Sequence, residues 1–183
     1  MLAPLEELEL LLRPAAGGVF VVSTGLREQE ALQRLIGPVL RVVTFGVQNA
    51  YLTHYTTTIG RHVYVVDDWD QWPAEQRYVT LRHERVHLRQ FARYTLVGMA
   101  FLYLFVPLPA GLAWFRAHFE KEAYAESIRA TAEVWGLARV RQPEQRAQIV
   151  RQFTSGNYGW MWPFRAAMER WYDAVVRSLE NGA

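Results

Sequence analysis

The sequence predicts an α+β fold, a small N-terminal β-sheet followed by helices, in one domain spanning residues 1–183. Three observations predict it. The β-branched and aromatic runs that suit strands all end by Val66. From Pro73 onward the chain reads as helices punctuated by proline and glycine. At 183 residues and 51% hydrophobic there is enough apolar material for one core, and no repeat, low-complexity tract or long linker divides the chain.

Taken in order, residues 4–13 carry acids in their first turn and leucines at 5, 8, 11 and 12, the pattern of a short amphipathic helix. Pro14 to Gly18 ends it. Val19-Phe20-Val21-Val22 is an apolar run suited to a buried strand, and Ser23 or Thr24 then caps a helix to about Ile36, stopped by Gly37-Pro38. Residues 39–45, 51–59 and 62–66 are strand candidates separated by Gly46, Asn49 and Gly60-Arg61. Asp67 to Asp70 forms a turn. Pro73, a favoured first helical residue, opens a helix to about Tyr94. A further helix runs from Pro109 to about Gly136, another from Pro143 to Thr154, and a last from Pro163 to Leu179. An aromatic loop with two glycines, residues 155–164, joins the last two.

The chemistry is concentrated in Leu81-Arg82-His83-Glu84-Arg85-Val86-His87-Leu88. Residues four apart lie one above the other on a helix. His83 and His87 can therefore direct two ring nitrogens at one point, about 2.0–2.1 Å from a zinc ion. Glu84 lies about 100° round from His83, where it can reach a water on the metal without being a ligand. A catalytic zinc takes three protein ligands and keeps one position open. Phe119-Glu120-Lys121-Glu122-Ala123-Tyr124-Ala125-Glu126 offers a third ligand on a later helix.

With those two segments, the sequence resembles the gluzincin metallopeptidases, in which His-Glu-x-x-His is followed on a later helix by Glu-x-x-x-Asp. The resemblance covers roughly residues 56–130 and is specific at the two motifs. It implies His83, His87 and Glu122 as zinc ligands and Glu84 as catalytic base. It also implies a zincin-like arrangement of sheet, motif helix and glutamate helix. Glu126 stands where the family has Asp, and Arg85 and Arg89 put charge where the family is commonly uncharged or hydrophobic. In such folds the last strand before the motif helix borders the cleft and pairs with substrate. Residues 62–66 are the candidate for that edge, an ordinary core strand being the other reading.

Other residues compete for roles. His118, Glu122 and Glu126 share one helix face by their i,i+4 spacing, which makes His118 a rival third ligand. Glu120 points elsewhere and reads as solvated, and Tyr124 reads as a packing residue. Tyr158, between Gly156 and Gly159, is placed to stabilise the oxyanion of a tetrahedral intermediate, although Tyr158, Trp160 and Trp162 equally read as core cover.

Composition excludes some classes. A formal net charge of +2 gives no case for nucleic acid, and the absence of cysteine excludes disulfides and thiolate zinc sites. The N-terminus has acids where a signal peptide would be apolar, so cytoplasmic residence is expected. Residues 96–115 carry no charge. Two prolines and two glycines interrupt the stretch, and a full span would put His87 and Glu122 on opposite sides of a hydrocarbon core about 30 Å thick. A hydrophobic hairpin is expected, in the core or in peripheral contact with a membrane. The expected function is thus a zinc-dependent hydrolase cleaving peptide or protein substrates. The alternative is an inactive zincin-fold protein, or a membrane-associated interaction protein organised by residues 96–115.

Overall fold

A computed structural model of the chain describes residues 21–23, 56–59, 62–66, 68–100, 102, 113–155 and 161–182. The contacts divide the chain into two compact units, residues 1–99 and 100–183. The boundary falls inside the uncharged stretch 96–115. That composition carries none of the polar, flexible character that marks a linker in sequence.

In the first unit, strands β1 (Val21–Ser23), β2 (Thr57–Ile59) and β3 (His62–Tyr64) are three residues each. They pair in the order β1-β3-β2, β1 parallel to β3 and β2 antiparallel to it. Thr58 lies opposite Val63, so their side chains share a face, and both are buried. A 3-10 turn at Trp69–Gln71 and Pro73 then lead into helix α1 (Ala74–Ala100). The carbonyl of Pro73 accepts the amide of Arg77 and starts the helical ladder.

Helix α1 is not one rod. Thr95 has φ 63° and ψ 165°, a backbone conformation that costs a β-branched residue about 1–3 kcal/mol. Its hydroxyl accepts the amide of Gly98 at 3.3 Å and caps the turn that follows. The motif helix therefore ends at Tyr94, as expected from the sequence. Tyr78, Leu81 and Leu88 form its buried apolar stripe.

The second unit contains α2 (Trp114–Trp135), α3 (Leu137–Val140), α4 (Pro143–Thr154) and α5 (Arg165–Asn181). Gly136 ends α2 at φ 83°, where its amide bonds the carbonyl of Ala132 and any β-carbon would be strained. Pro143 occupies the first turn of α4, as its missing amide proton favours. Phe119, Ile128, Val140, Val150, Phe153, Met168 and Tyr172 are all but fully buried. The Tyr172 hydroxyl donates to the carbonyl of Val140 at 2.7 Å, and Arg146 pairs with Asp173 at 2.7 Å.

Two expectations are corrected. The α+β zincin-like class does not hold, because the described residues are predominantly helical. The unbroken helix α2 has 22 residues, whereas each described strand has three. Strands this short cannot form the layer that a zincin sheet makes. Nor is β3 an edge, since among the described residues it is paired on both sides. With Val63 and Val65 each 1% exposed, the core-strand reading is the one that holds. Strand candidate 39–45 and the helices expected over 4–13 and 24–36 lie outside the described residues.

Candidate metal centre

Helix α1 sets the first part of the site. His83 and His87 lie one turn apart, and their Nε2 atoms are 3.1 Å from each other. Two nitrogens on one tetrahedral ion, each about 2.0–2.1 Å away, sit about 3.3 Å apart. The histidine pair already has nearly the spacing that a shared metal requires. Its rings meet edge to face, with centroids 4.9 Å apart.

Gln90, one turn beyond His87 and 4% exposed, lies with Oε1 2.9 Å from His87 Nδ1. An amide oxygen can only accept, so an Nδ1–H on His87 would donate to it and leave the ring lone pair on Nε2. Nε2 is the atom that faces His83. Gln90 went unnoticed in the sequence. Its spacing, i+3 from a motif histidine, was the available signal.

Glu84 lies about 60° round the helix from Leu81 and about 60° from His87. It therefore stands between the apolar stripe and the histidine face. It is 5% exposed, and a carboxylate buried there is costly unless hydrogen-bonded. The Thr58 hydroxyl on β2 donates to Glu84 Oε2 at 2.6 Å. The strand thus fixes the acid that the motif assigns to proton transfer.

Among the described residues, His83, His87 and Glu120 form a group that could hold a metal ion, with one ligand atom of each within 4.8 Å of the others. Two imidazoles and a carboxylate suit zinc and its first-row neighbours. The glutamate of this group is Glu120, expected from the sequence to be solvated, and Glu122 is not in it. Glu120 is 3% exposed and follows the buried small residue Ala117 by three positions, with Ala123 three further on. That i±3 frame of alanines marked its burial.

Residues 120 and 122 are about 200° apart on a helix, so they cannot face the same way. Glu122 is on the open side, its side chain 52% exposed and 3.4 Å from His118 Nε2. His118 stacks on Trp114 with rings 4° from parallel. The line 114, 118, 122 is thus an exposed ridge, and neither His118 nor Glu122 belongs to the group that could hold a metal ion. Glu126 pairs with Arg129 at 3.4 Å. Tyr124 packs edge-on against Phe153, as a packing tyrosine should.

Tyr158 and Trp160 lie outside the described residues, as do 101 and 103–112 of the uncharged stretch. Among the described residues no helix is long and apolar enough to cross a membrane. Comparison of the chain with protein families, curated proteins and solved structures found no match.

Proposed function

We propose that the chain is a zinc-dependent hydrolase, a peptidase in which His83, His87 and Glu120 hold the metal and Glu84 is the general base. The observation that carries the reading is the 3.1 Å approach of the two Nε2 atoms beside a buried carboxylate acid one residue along the helix. The His-Glu-x-x-His chemistry is that of the gluzincins, here among described residues that are predominantly helical and with Glu120 in the place the resemblance gives to Glu122.

Zinc held by such ligands would supply a water of pKa lowered to near 7 and an electrophile to polarise a carbonyl. The residues of the chain do the rest. Glu84 takes the proton from the attacking water on its carboxylate, then passes it to the amine that leaves when the peptide bond breaks. Thr58, by donating to Oε2, fixes the side-chain rotamer and so the direction from which the proton is taken. The burial of Glu84 keeps bulk water from competing for that proton.

A structural metal site is the competing reading, and the Thr58–Glu84 bond favours it, because it is also how a core satisfies a buried carboxylate. One pair of measurements separates the two. The purified protein should hold about one zinc per chain, lost in His83→Ala or His87→Ala. Glu84→Gln should retain the zinc and lose hydrolysis of a peptide library. A Glu84→Gln protein as active as wild type would end the hydrolase mechanism.

A further inference from the structure

We propose that Gln90 is a positioning residue for the metal: by accepting the Nδ1 proton of His87 it holds that ring in the one tautomer able to ligate through Nε2. The proposal rests on the metal reading above. The geometry is local to one helix. Gln90 Oε1 lies 2.9 Å from Nδ1, while Nε2 of the same ring lies 3.1 Å from Nε2 of His83. Neutral imidazole has one N–H and one lone pair. Whichever nitrogen faces Gln90 therefore decides what the other offers to a metal.

The partner is an amide where metal-bound histidines often use a carboxylate. A second acid here would add a buried negative charge on the same helix as Glu84, itself 5% exposed and six residues away. The neutral amide supplies the acceptor without that desolvation penalty. At 4% exposure Gln90 is also shielded from water that would otherwise replace it. Rotating the amide by 180° would present NH2 to Nδ1, force the proton onto Nε2, and block ligation by His87. The orientation of one side chain thus gates the site.

The test reads the tautomer directly. Metal-stripped full-length protein labelled with 15N-histidine is examined by long-range proton–nitrogen correlation at about pH 8, well above the usual histidine pKa of about 6.5. His87 is expected as the Nδ1–H tautomer in wild type and as Nε2–H, or a mixture, in Gln90→Leu. Zinc affinity, measured against a chromogenic chelator, should fall about 10–100-fold in Gln90→Leu. Gln90→Glu, which keeps an acceptor, should restore it. A residue that merely packs would change the thermal midpoint of both variants and leave the tautomer alone. Finding His87 as Nε2–H in wild type, or wild-type zinc affinity in Gln90→Leu, overturns the proposal. If Gln90→Leu does not fold, the wild-type tautomer and Gln90→Glu still decide. A wild-type chain that binds no zinc would refute the metal reading, while the tautomer would still decide what Gln90 does.

Discussion

Replacing Glu120 and Glu122 separately by alanine distinguishes the site described here from the one the motif alone suggests. The two residues are about 200° apart on α2, one 3% exposed and the other with half its side chain in solvent. Tetrahedral zinc sites in small folded peptides bind with about 10–16 kcal/mol at pH 7. An equal share for each of four coordination positions is about 2.5–4 kcal/mol, or about 10²–10³-fold in affinity at 1.4 kcal/mol per decade. Glu120→Ala should therefore weaken zinc by that factor. Glu122→Ala removes an exposed pairing with His118, which salt and water already screen, and should leave zinc affinity unchanged. The assay is equilibrium titration against a chelator of known affinity, with circular dichroism of each metal-free variant as the folding control. If Glu122→Ala releases the zinc and Glu120→Ala does not, the assignment of Glu120 is refuted.

Two further predictions concern the scaffold. Thr58→Val removes the hydroxyl that donates to Glu84. A hydrogen bond to a charged group contributes about 1.5–3 kcal/mol. At about 2–4 °C per kcal/mol for a domain of this size, the melting temperature should drop by about 3–12 °C, with most of the loss recovered in Thr58→Ser. An unchanged melting temperature would remove Thr58 from the support of Glu84. In the second unit, desolvation raises the pKa of Tyr172 from its usual 10 to about 12. Between those values the folded chain keeps a proton that the unfolded chain releases. The stabilising contribution is complete below pH 10 and fades as pH rises toward 12. Denaturant midpoints measured from pH 8 to 12 should show this fall in wild type and a shallower one in Tyr172→Phe. That variant should also be less stable at neutral pH by about 1–3 kcal/mol, because the buried carbonyl of Val140 loses its donor. Identical pH profiles would contradict the assignment.

The sequence by itself determined what is local. The i,i+4 spacing of His83 and His87, with Glu84 beside them, follows from helical periodicity once Pro73 starts the helix, and α4 begins and ends at Pro143 and Thr154 as its own residues dictate. The stop at Tyr94 fell where expected, but its cause, a threonine at positive φ capping the next turn, is a conformation that propensity would not choose for Thr95. The tertiary structure decided what depends on burial and on partners distant in the chain. The motif favours Glu122, and although the alanines three residues either side of Glu120 hint at its burial, only packing buries it and leaves Glu122 in solvent. The strand runs were legible as apolar and β-branched, yet whether β3 is an edge depends on β1, some forty residues earlier, pairing with it. Fold class failed for the same reason: strand propensity in a sequence registers a residue's fit to a pleated surface, whereas a sheet exists only to the extent that distant segments bond to one another. Thr58 carries no signal of its own and matters because of the charge that the fold lays against it, whereas Gln90 carries only its i+3 spacing from His87.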